Sequence, residues 1–165
     1  MKRDGTKEPF SPKKLNGWGL WASEKLGNTV DWSEVVLHIA STSKDEVTSV
    51  ELHNMFISYC LTKRSFDYNR MAGRLYIAYL NKELYGDKHP TVKDLLTKLS
   101  NHGLVSKDFL LAFTDDEYAQ LDKIIDHSID LNYAHYQIEQ AMEKYSLRDR
   151  VTGQYFETPQ FSALR

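Results

Sequence analysis

A side-chain cap with glutamate three residues on occurs at Asp31 with Glu34, Thr48 with Glu51 and Thr114 with Glu117, and each pair precedes apolar residues spaced by three and four. Such a pair satisfies the amides that a first helical turn leaves without partners, and the spacing puts the apolar side chains on one face. The stripes are Val35, Val36 and Ile39; Leu52, Phe56, Tyr59 and Cys60; and Tyr118, Leu121 and Ile125. A chain punctuated this way folds mainly as α, its helices packed through those faces.

The remaining segments fit the same plan. Ser11-Pro12 opens a helix, with a hydroxyl for the first amides and proline in the first turn, and Leu15, Trp18, Ala22 and Leu26 follow on one face up to Gly27. Gly17 and Gly19 weaken that helix by roughly 1 kcal/mol each relative to alanine, so packing has to hold it. A long helix is expected from about Asp67 to Tyr85, with Met71, Ala72, Leu75, Ala78 and Tyr79 inward and Gly86 as its stop. Before these helices, Asp4-Gly5 predicts a short hairpin over the first ten residues. His89-Pro90 marks a boundary between residues 1–88 and 89–165. Beyond it come Val92, Leu95, Leu96 and Leu99 on one helix, a short helix over 109–113, the Thr114 helix, and a last one over about 133–145. Val151–Phe156 reads as a tight turn between extended pieces. Thr158-Pro159 then announces a helix less than two turns before Arg165, which reads as a domain cut short or as a frayed terminal turn.

Composition narrows the functional classes. A length of 165 residues suits one domain with its own core, or a small domain and part of another. A net charge of −2 gives no reason to expect nucleic acid as a partner, although Lys2-Arg3, Lys13-Lys14 and Lys63-Arg64 are local basic clusters that suit a small anion. The single cysteine, Cys60, excludes an internal disulfide and a zinc ribbon and falls within an apolar stripe, as a core residue does. No apolar run approaches the roughly 20 residues that cross a bilayer, and the N-terminus lacks the apolar stretch of a signal peptide. The expectation is a soluble cytoplasmic protein.

Catalytic patterns are missing. The chain has no Gly-rich phosphate loop after a strand, no nucleophile elbow and no His-Glu-x-x-His. Asp126-His127 with Asp130 has a spacing that suits a metal but supplies one histidine, so a helix-surface hydrogen bond is the simpler reading. A scattered set is more suggestive: Lys2, Arg3 and Glu8 in the hairpin, Lys14 in the first helix, His53 early in the third, and Lys82 near the end of the fourth. If the helices pack behind the hairpin, these converge on one pocket, where the cations and the amides at Thr48-Ser49 suit a polyphosphate. Each, taken alone, also reads as a solvated surface charge.

Lys2-Arg3-Asp4-Gly5, Pro9-Phe10 and Lys14-Leu15 resemble the opening of the ATP-cone, a regulatory domain built of a hairpin and four helices. Residues 67–75, Asp-Tyr-Asn-Arg-Met-Ala-Gly-Arg-Leu, and Lys82-Glu83-Leu84-Tyr85-Gly86 look like that domain's last helix. The second half, with Phe113–Tyr118, Ile125-Asp126-His127, Lys144-Tyr145 and Arg150–Phe161, is similar to the segment joining the cone to the catalytic barrel in the class I ribonucleotide reductase large subunit of bacteria and phages. The chain departs from that pattern in having only Met1 and Lys2 before Arg3, Ile129 where relatives carry arginine, and unrelated residues after Phe161.

The resemblance implies an ATP-cone over 1–88 and a helical connector over 89–165, without the barrel and so without catalytic residues. It implies an overall-activity switch read by ATP and dATP, with Mg2+ accompanying the nucleotide as an option. By motif match Lys2, Arg3 and Lys82 contact phosphates, His53 sits beside them, Glu8 holds the base, Lys14 lines the site, and Thr48 or Ser49 caps the nucleotide. The partners implied are the rest of the large subunit if it is encoded separately and the radical-generating small subunit, with homo-oligomerisation open and neither nucleic acid nor membrane involved. The rival readings are a helical protein-interaction module, or a degenerate remnant, that has lost the nucleotide.

Overall fold

The computed structural model describes residues 5–7, 9–44 and 46–165. The hairpin expected over the first ten residues therefore lies largely outside the described residues. Its described part, 5–7 with 9 and 10, forms no strand, and Gly5 has φ +82°. Among the described residues the fold is helical with no sheet, and one isolated antiparallel bridge joins Arg148 and Tyr155. The chain divides into two compact units, Met1–Tyr79 with Asn132–Gln137, and Leu80–Leu131 with Ile138–Arg165.

The first unit is built on α1 (Pro12–Ser23), α2 (Trp32–Thr42), α3 (Ser49–Thr62) and most of α4 (Phe66–Tyr85). Its core unites the apolar stripes: Leu15 and Ala22 from α1, Val35, Val36 and Ile39 from α2, Phe56 and Cys60 from α3, and Met71, Ala72 and Leu75 from α4. Cys60 is buried, which pushes its thiol up to about 12 and leaves it unreactive. Gly19 is explained by close approach: a β-carbon there would lie 2.7 Å from Val36 Cγ2 and 3.2 Å from Trp32 Cε3, so glycine lets α1 lie against α2. Gly17 faces open space.

Two helix ends depart from expectation. Proline stands in the first turn of α1 as expected, but the Ser11 hydroxyl caps no amide. That helix also ends at Ser23, ahead of Gly27, and the buried Arg74 guanidinium gathers its end by donating to the Ala22 and Glu24 carbonyls. Asp31 caps α2 through the Ser33 and Glu34 amides at 3.0 and 3.1 Å. Glu34, however, does not return to close a box. Its Oε1 accepts from the Tyr59 hydroxyl at 2.9 Å and from Lys63 Nζ at 2.5 Å, tying α2 to α3.

The second unit contains α5 (Val92–Asn101), α6 (Lys107–Leu110), α7 (Asp115–Ile124), a 3-10 helix (His127–Asn132), most of α8 (His135–Lys144) and α9 (Pro159–Leu164). Val92, Leu95, Leu96, Leu99, Tyr118, Phe156 and Phe161 form its core. The turn expected around Val151–Phe156 forms: Asp149 Oδ1 accepts the Val151 and Thr152 amides, both at 2.7 Å, and Gly153 at φ +74° reverses the chain. The helix announced at Thr158-Pro159 forms as α9, although Thr158 makes no side-chain cap.

Candidate functional site

The N-terminus of α3 is the part of the candidate site that the structure describes most fully. Thr48 accepts the Glu51 amide at 3.1 Å and Glu51 accepts the Thr48 amide at 2.7 Å, so the expected box closes. Those bonds hold the Glu51 carboxyl below its usual range. Ser49 begins the helix, and its carbonyl accepts from His53 Nδ1 at 3.2 Å. Because a carbonyl can only accept, Nδ1 carries a proton in that bond.

Aromatic rings fix His53 from the sides. The Trp18 ring lies 4.2 Å from it, centroid to centroid, and is itself backed by the buried Phe56 at 6.0 Å. Tyr79 of α4 lies 6.2 Å from the same imidazole. Lys14 is exposed on α1, one turn before Trp18. The first unit thus brings Lys14, Thr48, Ser49 and His53 onto α1 and the head of α3. Lys2, Arg3 and Glu8 lie outside the described residues. Lys82 is on α4 in the second unit, half-exposed and paired with Asp87.

Trp18 and Tyr79 enter this neighbourhood although the sequence assigned both to a core-facing stripe. An indole or a phenol at helical spacing fills a core and flanks a ligand equally well, so periodicity carried no signal for the second role. The first unit also has a groove of about 450 Å³ lined by Thr42, Lys44, Glu46, Val47, Asn54, Met55 and Ser58, with Glu51. Of the residues assigned to the nucleotide, the described ones, Lys14, Thr48, Ser49, His53 and Lys82, do not line it.

In the second unit, the reading of His127 and Asp130 as a helix-surface pair is corrected. Asp130 is 1% exposed and accepts from Gln160 Nε2 at 3.2 Å. His127 stacks face to face on His89 at 3.9 Å and 6°. A 3-10 turn in place of an exposed α-helix turns Asp130 inward and leaves His127 half-buried. Among the described residues no three histidine, cysteine or acidic groups gather as metal ligands, and no helix is long and apolar enough to cross a membrane.

The first unit is thus a small helical domain with its own core, whose third helix presents a capped N-terminus and a histidine flanked by aromatic rings. The chain belongs to the ATP-cone family: the sequence model of the ATP cone domain matches residues 1–83. Along nearly its whole length it is similar to large subunits of ribonucleotide reductase. It is 31% identical over 164 residues to the ribonucleoside-diphosphate reductase 1 subunit alpha of Escherichia coli K12, covering 97% of this chain and 21% of that one. The corresponding figures are 32% over 164 residues for the subunit alpha of Haemophilus influenzae (97% and 22%) and 30% over 166 residues for that of phage T4 (98% and 22%). The chain spans about a fifth of the length of the curated relatives it matches.

Proposed function

We propose that this chain is the effector-binding, activity-setting portion of a ribonucleoside-diphosphate reductase large subunit, with the regulatory part in residues 1–88 and the connector in 89–165. The observation that carries the reading is the head of α3, where Ser49 and His53 stand in hydrogen-bonded register beside α1 and its Lys14, within the ATP-cone match. ATP or dATP is the effector, with Mg2+ as its companion. Its phosphates meet Lys2, Arg3 and Lys82, Glu8 holds the base, and His53 and Lys14 complete the wall. The Thr48 hydroxyl is committed to the Glu51 amide, which favours Ser49 as the residue that meets the nucleotide.

Such a module switches only because ATP and dATP favour different assemblies, since a ligand that binds two states equally shifts neither. Its partners are the remainder of the large subunit and the radical-generating small subunit, in the cytoplasm, in the service of deoxyribonucleotide synthesis. Calorimetric titration of the chain with ATP and with dATP tests the reading. Saturable binding is expected, weakened at least about tenfold in Arg3→Ala and in Lys82→Ala, the loss of one or more charge-assisted phosphate contacts. Absence of heat at millimolar nucleotide sinks it. The interaction-module reading would then stand on Leu20 and Leu37, apolar side chains 58% and 69% exposed on α1 and α2.

A further inference from the structure

The rings around His53 do not stop at the site. Beyond Tyr79, Tyr76 lies stacked at 6.5 Å with 9° between the planes, and beyond Tyr76 comes His135 at 4.8 Å. Trp18, His53, Tyr79, Tyr76 and His135 therefore form one row inside the first unit, anchored at its head by the buried Phe56. The row ends on Asn132–Gln137, a stretch distant in sequence that packs within this unit. His135 is 7% exposed, whereas its neighbours Tyr133 and Tyr136 are 36% and 46% exposed.

That stretch meets α4 through a side-chain bond and a close backbone contact. Asn69 Oδ1 accepts the Tyr136 amide at 3.4 Å and ties the stretch to α4, while Gln137 Oε1 accepts the Ala134 amide at 2.8 Å within the stretch itself. Gly73 lets the backbone of residues 133–135 lie directly on the helix. Neighbouring side chains can carry a displacement from one to the next, so a ligand that re-seats the imidazole at one end shifts its neighbours in turn.

We propose that this aromatic row couples the α3 site to Asn132–Gln137, so that a nucleotide against His53 tightens the seating of that segment on α4. The proposal rests on the nucleotide reading above and assigns that site its output. Reciprocity follows from linkage: whatever the nucleotide does to the segment, loosening the segment does in reverse to nucleotide affinity. The Asn69 bond and the Gly73 backbone contact are restraints of the kind that a local change in order can shift.

Hydrogen exchange of the full chain, with and without saturating ATP, read beside a parallel titration, separates the outcomes. The expected result is exchange across 132–137 slowed roughly threefold or more by nucleotide, a change in local opening within the range that native-state exchange resolves. Tyr76→Leu, which removes a middle ring, should bind nucleotide and lose that response, and Tyr76→Phe should keep it. If nucleotide binds and the 48–53 amides respond while 132–137 does not, the row transmits nothing and the coupling is overturned with the binding reading intact. A response that persists in Tyr76→Leu overturns the row as the route. If titration shows no binding at all, the reading and the coupling fall together. Should Tyr76→Leu fail to fold, His135→Leu removes the last ring instead and is judged by the same two criteria.

Discussion

Gly73 sits in mid-α4, where glycine ordinarily weakens a helix by roughly 1 kcal/mol relative to alanine. A β-carbon at this position would lie 2.3 Å from the Tyr133 carbonyl oxygen, 2.9 Å from the His135 nitrogen and 3.0 Å from the Ala134 carbonyl carbon. All three are backbone atoms, so no side-chain rotation can relieve the clash. Gly73→Ala should therefore lower the stability of the first unit by about 1–3 kcal/mol, the usual effect of overpacking, in spite of its better helix propensity. Gly17→Ala, with nothing within 4 Å, should raise it by up to about 1 kcal/mol. Urea midpoints of the two variants decide the matter, and equal effects would remove the packing argument. From the sequence, Gly17 and Gly19 stood out because they interrupt a short helix, while Gly73 passed unremarked in a long one. What matters at Gly73 is a segment some sixty positions away, and no local pattern reports that.

The helices themselves were largely legible, because a cap followed by a 3.6-residue stripe is local information. Cap chemistry was legible only in part. Thr48 and Thr114 close full boxes with Glu51 and Glu117, whereas Glu34 is drawn off by Tyr59 and Lys63, and Ser11 turns its hydroxyl away from the amides. At Glu34 the difference is tertiary, because Tyr59 and Lys63 of the neighbouring helix take its carboxylate, whereas at Ser11 it is local, a proline following that has no N–H to satisfy. Thr114→Ala should then cost the second unit about 1 kcal/mol, the usual effect of losing an N-cap. Ser11→Ala should stay within about 0.5 kcal/mol of the parent, as a surface change without a bond to lose. Thermal unfolding of both variants checks this. A large loss at Ser11 would mean that its hydroxyl caps α1 in solution. The candidate site was legible as residue types on named helices, while the ring row from Trp18 to His135 depends on how α1, α3 and α4 face each other.

The two units differ in what acid does to them. All three tryptophans, Trp18, Trp21 and Trp32, lie in the first unit, so tryptophan fluorescence follows that unit, and exchange over residues 92–131 follows the second. In the second unit, burial pushes His127 down to about 4, with the His89 charge adding to the effect, and burial also lowers His89. Burial pushes Asp130 up to about 6. These act in opposite senses. A histidine depressed from 6.5 to 4 is neutral in the fold and protonated when unfolded, so its contribution is present above about pH 6.5 and is lost as the pH falls toward 4. A carboxyl raised from 3.8 to 6 is protonated in the fold and ionised when unfolded, so it favours the fold below about pH 4 and weakens it as the pH rises through 6. The windows overlap, and the intact second unit should respond only weakly to pH between 4 and 6.5. Asp130→Asn removes the opposing carboxyl and can keep the Gln160 bond, so its second unit should lose protection steeply as the pH drops from 6.5 to 4. His127→Phe, which keeps a ring against Phe161, should leave Asp130 to act against the remaining shift at His89 and flatten or reverse the slope. Parallel profiles for the two variants would mean that the histidine stack and the buried carboxyl do not titrate against each other, and that the second unit's response to acid arises elsewhere.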